Sequence, residues 1–225
     1  MASAIADTEL DATARAVRIL RDMVMGRRIG PGQQLRQDGL AEELGVSRSP
    51  LREALRTLET EGLLVHVPNQ GYFVVRLRST ELQQIYLMRR LLETEILKTL
   101  RKPSASEASA LRTEHERIKG FVADGSSLRV LQANRRFHFA IFAFSPLDLV
   151  VRQVERLWHM SESYRAAYLW LPATQDRIVE EHTAMLSALG RGDLEELISV
   201  ADAHRAAAEK SVIALLRGEE DARHE

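Results

Sequence analysis

The sequence predicts a mainly α fold: three helices and a β-hairpin at the N-terminal end, then an antiparallel, all-helical bundle of six helices. Three observations carry this. Apolar residues recur at three- and four-residue spacing over most of the 225 residues. Only two runs read as strands, and both lie before residue 78. Hydrophobic residues make up 45% of the chain but aromatics only 5%, which suits aliphatic helix packing better than a sandwich or barrel.

Leu10, Ala14, Val17, Leu20 and Val24 give residues 9–25 a helical period. Gly30-Pro31-Gly32 then supplies strong turn chemistry. Two helices are expected over 37–44 and 48–60, separated by a glycine turn. Gly45 suits a left-handed cap on the first, and Val46 can pack between the two. Ser47 is a good N-cap for the second, with Pro50 in its first turn, where the missing N–H costs little. Leu51, Ala54, Leu55 and Leu58 would anchor this helix, while Arg48, Arg52 and Arg56, spaced by four, line another face. Past Gly62, residues 63–67 and 72–75 are short β-type runs joined by Pro68-Asn69-Gln70-Gly71. Together these make a winged helix-turn-helix. A helix anchored on one side and arginine-lined on the other suits the DNA major groove, where Arg bonds guanine O6 and N7 in parallel. The alternative is a solvated arginine face with Glu53 pairing locally.

Helical periodicity continues over 79–101, 105–123, 127–144, 147–170, 173–189 and 193–216. The breaks are Lys102-Pro103-Ser104, Asp124-Gly125-Ser126, Ser145-Pro146, Leu171-Pro172 and Gly190-Arg191-Gly192-Asp193. Thr80 and Gln83 stand in capping-box positions at the first of these helices. Two domains are therefore expected, 1–78 and 79–225. Eleven Lys/Arg face ten Asp/Glu over residues 1–78, so attraction to DNA must come from local placement, with Arg27, Arg28 and Arg36 adding to the helix arginines. The chain has no Cys, which excludes disulfides, thiolate metal sites and Cys nucleophiles. No signal-peptide pattern is seen, and no apolar run approaches the roughly 20 residues of a membrane span. The expectation is a cytoplasmic protein without a membrane partner.

Polar residues fall where the bundle's periodicity expects apolar ones. Asn134 and His138 share a side with Val130, Phe137, Ile141 and Phe144; His182 with Ile178, Met185, Leu186 and Leu189; His204 with Leu197, Ala201 and Ala208. Three inward histidines on three helices can converge. A buried imidazole without a partner is costly, and a divalent metal would satisfy all three at once. Zinc and nickel both suit histidine plus amide. The alternative is three hydrogen-bonded core histidines. His66, His115, His159 and His224 lack convergent partners and read as wing-strand, surface or packing residues. Coordination positions left open by such a site suit carboxylate oxygens, so a small organic acid is the expected effector. Arg89 is the candidate second anchor for its carboxylate. An ion pair with Glu93 at i+4 is the competing reading of Arg89. Tyr86 and Tyr164 complete the candidate pocket. No catalytic residues are assigned, because no paired Glu-x-x-His helices or general base stand beside the histidines. A metal-dependent bundle enzyme and a metal-free regulator of larger acyl-type ligands are the rival readings.

The runs Gly30-Pro31-Gly32-Gln33-Gln34-Leu35, residues 40–55, Leu58-Glu59-Thr60-Glu61-Gly62-Leu63 and Asn69-Gln70-Gly71 resemble the GntR family of bacterial transcription regulators. Asn134-x-x-Phe137-His138, Glu181-His182 and His204 resemble its FCD ligand-binding domain, and six helices suggest the VanR-like subgroup. The resemblance implies a ligand-responsive regulator, most often a repressor, that binds a short palindromic operator in double-stranded DNA as a homodimer. It places Ser47, Arg48, Ser49 and Arg52 at DNA-touching positions, Gly71 at the wing tip in the minor groove, and Arg36 as a phosphate or base contact. It also makes Asn134, His138, His182 and His204 metal ligands. Two departures stand out: Asp38 replaces an Arg common in acyl-responsive relatives, and Asn134 replaces the commoner Asp, which implies a more weakly held ion.

Overall fold

Helix α1 (Ala2–Met25) packs on α3 (Arg48–Thr60). Ala16, Leu20 and Val24 on the first, and Leu51, Ala54, Leu55 and Leu58 on the second, are almost wholly removed from water. The computed structural model describes residues 2–169 and 172–221, and these fall into two compact units, Met1–Leu77 and Arg78–Glu225. His224 lies outside the described residues.

In the first unit, α2 (Gln37–Leu44) precedes α3. Gly45 closes α2 in the left-handed region (φ 63°, ψ 39°), as the sequence leads one to expect. The start of α2 differs from expectation. Asp38 (ψ 121°) and Gly39 (φ 88°) are non-helical, so regular helix begins only at Leu40. Glycine tolerates that φ because it has no Cβ. Strands β2 (Leu64–Val67) and β3 (Gly71–Val74) form the hairpin, with His66 opposite Tyr72 and Val67 opposite Gly71. A two-residue strand, β1 (Gln34–Leu35), adds to the outer edge of β3 and gives the order β1-β3-β2. It is too short to show a period of two, which is why the sequence does not betray it.

The second unit holds all six expected helical stretches. They are α4 (Ser79–Lys98), α5 (Ala105–Ala123), α6 (Ser127–Phe142), then α7 (Asp148–Met160) with α8 (Glu162–Leu169), α9 (Pro172–Arg191) and α10 (Leu194–Asp221). The six-helix expectation is corrected at one point. The stretch 147–170 is divided at Ser161, whose φ of −97° and ψ of 0° leave the helix, so the unit has seven helices among the described residues. The Ser161 hydroxyl donates to the Leu157 and Trp158 carbonyls (2.9 and 3.3 Å), and the Arg165 guanidinium also takes the Trp158 carbonyl (3.1 Å). These side chains compete with the helix ladder there.

The start of α4 is likewise corrected. Arg78, not Thr80, is the N-cap residue, and the Glu81 carboxylate accepts its backbone N–H at 2.8 Å, so Gln83 plays no capping role. At α5, Ser104 and Glu107 form a capping box. Within the unit, α10 packs on α4, α8 and α9; α5 packs on α6 and α9; and α7 lies on α4. The core between them includes Ile96, Phe137, Ile141, Trp158, Met185 and Leu197.

Candidate nucleic-acid interface and candidate metal centre

Helix α3 presents its first turn to solvent. Ser47 is its N-cap residue, in extended conformation, but its side chain makes no capping hydrogen bond. The expected cap position is right and the expected cap bond is absent, which leaves the hydroxyl for another partner. Ser47, Arg48, Ser49 and Arg52 are all exposed. Arg48 and Arg52 make no ion pair or hydrogen bond among the described residues. Arg56, the third arginine of the stripe, reaches Glu53 at 3.4 Å, so local pairing applies to it alone of the three. Arg36 is exposed at the N-cap position of α2. Arg28 is tied to Glu43 at 2.8 Å, and Arg27 is also engaged, so both contribute less free positive charge than the sequence suggests. The hairpin tip pairs two left-handed residues, Asn69 (φ 63°) and Gly71 (φ 94°), and the space beside Gly71 is open. The Gln34 side-chain amide donates to the Gln70 carbonyl and fixes the tip to β1.

In the second unit, α6, α9 and α10 bring three histidines together. One ring nitrogen from each of His138, His182 and His204 lies within 4.8 Å of the other two. His138 is 6% exposed and His182 wholly buried. Their Nε2 atoms face each other at 3.2 Å. Burial first, and the neighbouring His204 and arginines second, hold the His138 ring well below the usual histidine pKa; burial and the adjacent histidines do the same for His182. Both rings are therefore neutral near pH 7 and keep a lone pair. His204 hydrogen-bonds through Nδ1 to Glu181 Oε2 at 2.6 Å, which directs its Nε2 to the cluster. Asn134 is buried one turn before His138 on α6, and its Oδ1 has no hydrogen-bond partner. Three converging imidazole nitrogens and an orphaned carbonyl oxygen fit the donor set of a divalent cation.

A cavity of about 30 Å³ adjoins the cluster, lined in part by Asn134, His204, Trp158 and three arginines, Arg89, Arg165 and Arg205. Both sequence readings of Arg89 hold together. Its Nε pairs with Glu93 at 2.8 Å, while its Nη1 is buried without a partner. Glu93 is the hub: it also accepts from Trp158 Nε1 (2.8 Å) and from Arg205 Nε (2.9 Å). The two flanking guanidiniums hold its carboxyl below the ordinary range despite a burial that opposes them. Arg205 keeps Nη2, and Arg165 keeps Nε, buried and unpartnered. Burial, with Arg89 nearby, lowers the Arg165 pKa to about 10. The Trp158 indole lies beneath both Arg89 (4.4 Å) and Arg165 (4.1 Å).

Sequence reasoning misses Arg165, Arg205 and the hub role of Glu93. Arg205 carried a usable signal, because it falls on the Leu197, Ala201, Ala208, Val212 stripe of α10 where an apolar residue is expected. Tyr86 and Tyr164 are both buried but do not line the cavity. Tyr86 is fully buried with its hydroxyl unpartnered and its ring 5.0 Å from the Arg89 guanidinium. His115, expected at the surface or in packing, is 3% exposed, with its ring 6.1 Å from that of His182. His159 is also buried, and the His66 ring lies tilted against Tyr72 on the wing, with centroids 4.8 Å apart.

Comparison with known proteins agrees with both units. Residues 12–74 match the family model described as bacterial regulatory proteins, gntR family, and residues 84–207 match the FCD domain. Among curated relatives, the Nta operon transcriptional regulator of Aminobacter aminovorans is 26% identical over 197 residues, covering 87% of this chain and 92% of that protein. The HTH-type transcriptional repressor GlaR of Escherichia coli is 29% identical over 162 residues, covering 70% and 73%. Among solved structures, E. coli McbR/YncC superposes with a TM-score of 0.72 at 24% identity, covering 93% of this chain and 98% of that one, which shows a shared fold.

Proposed function

Because the chain belongs to the gntR family of bacterial regulatory proteins and carries an FCD domain, we propose that it reads a short palindromic operator as a homodimer and answers to a small carboxylate held at a metal centre. Membership makes it a DNA-binding transcriptional regulator and not an enzyme. Arg48 and Arg52 read base edges from α3, with Ser47, Ser49 and Arg36 on the backbone and Gly71 at the wing tip. Their support is exposure together with the lack of any competing partner for Arg48 and Arg52. His138, His182, His204 and Asn134 are the ligands of a divalent cation, zinc or nickel. The cation supplies a Lewis-acid point for a carboxylate oxygen, and Arg89, Arg165 and Arg205 take the remaining negative charge.

One observation carries this reading. The orphaned Asn134 oxygen and the His204 ring line the same cavity as three arginines that each hold an unused buried N–H. Dimerisation is supported by α4, where Leu87, Met88 and Leu91 stand 41–57% exposed in one ridge. Repression is supported by the relative GlaR, which is a repressor. Effector binding would favour one of two arrangements of the paired recognition helices and so change operator affinity.

The test is elemental analysis of protein purified without an affinity tag or chelator, alongside His182→Ala. Near-stoichiometric metal in the native chain and its loss in the variant are expected. No metal in either protein, even after reloading with zinc or nickel, would overturn the metal centre and direct the search to metal-independent ligands.

A further inference from the structure

The charges around the three-histidine cluster do not balance. Among the described residues the cluster contains no carboxylate, and the fourth donor, Asn134, is a neutral amide. Glu181 stands behind His204, on Nδ1 at 2.6 Å, and is itself paired with Arg177 at 3.2 Å. A divalent ion on these four donors would keep nearly its whole charge. Three guanidiniums stand beside it. Arg89 and Arg205 share the carboxylate of Glu93, and Asp202 reaches Arg205 only from the exposed end. Arg165 makes no ion pair among the described residues. Its hydrogen bond goes to the Trp158 carbonyl, and Glu162 acts on it only from longer range. Yet Arg165 is 4% exposed and, with a pKa of about 10, still charged at neutral pH. His138, Arg89 and Arg165 all lie against the Trp158 indole, at 5.2, 4.4 and 4.1 Å. Positive charges this close in a dry site repel far more than in water. A buried unpaired charge is costly, and the cavity lined by Asn134, His204 and the three arginines is where an anion would relieve it.

We propose that the ion and the acid hold each other in this site: the bound acid stands in for the anionic ligand that Asn134 does not supply, and it shields the ion from Arg165. Neither is held tightly alone. Coupling of this kind is reciprocal, so the acid tightens the metal by the same factor as the metal tightens the acid. The regulator then answers to the acid only while the metal is available. Arg165 is the residue that enforces this, because it opposes the ion until an anion arrives. The proposal rests on the metal reading of the cluster given above.

The experiment is zinc titration against a competing indicator, with and without malonate as the acid. It uses native protein dialysed free of metal and small acids, Arg165→Met and Asn134→Asp. Malonate is expected to tighten zinc binding to the native chain by about 10-fold or more. Its own hold on zinc in solution works in the opposite direction and cannot imitate that gain. Without malonate, Arg165→Met is expected to bind zinc about 10-fold more tightly than the native protein. A merely structural arginine would give weaker or unchanged binding. Asn134→Asp, which restores a carboxylate, should also bind zinc more tightly and gain little from malonate. Far-UV circular dichroism and melting show which variants fold. A folded Arg165→Met that binds zinc no more tightly than the native chain, or native affinity unmoved by malonate, would overturn the proposal and leave the metal reading standing. If Arg165→Met does not fold, Asn134→Asp decides: a malonate gain equal to the native one refutes the coupling. Native protein that binds neither zinc nor nickel, with or without malonate, would overturn the metal reading and this inference with it.

Discussion

Glu93 shares one carboxylate among Arg89, Arg205 and the Trp158 indole inside the second unit. Replacing it by Gln strands two buried guanidiniums, and breaking a buried pair of this kind costs about 3–5 kcal/mol. Glu93→Gln should therefore lower the urea midpoint of the second unit markedly. Asp202→Asn, at the exposed end of the Arg205 interaction, should change it little. The sequence shows the Arg89–Glu93 pair, because i,i+4 spacing on a helix is visible in one dimension. It does not show that Arg205, 112 positions away, meets the same carboxylate. The three histidines are legible for the opposite reason: each breaks an apolar stripe, and a polar residue on a buried face advertises itself.

Element boundaries follow the residues that close them. Gly45 ends α2 in the left-handed region, and an added Cβ would meet only the end of the Arg15 side chain at 3.9 Å. Gly45→Ala should cost about 1 kcal/mol from backbone strain alone, seen as a lower melting point of the N-terminal unit with α3 intact. At α5, Glu107 accepts both Arg101 guanidinium nitrogens (2.9 and 2.6 Å) and the Ser104 backbone N–H (2.8 Å). The Arg101 hydrogen bonds, then the Ser104 backbone, lower its pKa from 4.5 to about 2. A carboxylate with a depressed pKa stabilises the fold above its unfolded value and loses that contribution as pH falls through the folded one. The cap should therefore persist below pH 4.5 and fail near pH 2. An NMR titration of Glu107 should show a midpoint near 2 that rises toward 4.5 in Arg101→Ala. The helices were legible because their periods and breaks are local. β1, the kink at Gly39 and the break at Ser161 were not, because pairing with β3 and side-chain competition for carbonyls leave no period to read.

At the scale of the whole molecule, charge placement matters more than charge total. With 31 basic and 32 acidic residues the chain has no general attraction to DNA. Operator affinity should come from a few placed cations and fall steeply between 50 and 200 mM salt. On a palindromic duplex selected from a random library, Arg48→Ala and Arg52→Ala should each weaken binding by about 1–3 kcal/mol per half-site and relax base preference. Native-like binding by both, measured by fluorescence anisotropy, would refute the assignment of α3. The ridge of Leu87, Met88 and Leu91 gives a separate prediction: Leu87→Glu with Leu91→Glu should sediment as a monomer and lose the operator.

Trp158 also makes the cavity self-reporting. Its indole lies beneath two guanidiniums, with its N–H on Glu93. The colour of indole emission responds to fields of that strength. The chain has only two tryptophans, so Trp170→Phe leaves a single lamp. An acid that draws Arg89 or Arg165 off the ring should then shift the emission colour, and candidate effectors can be sorted by light before any operator is known.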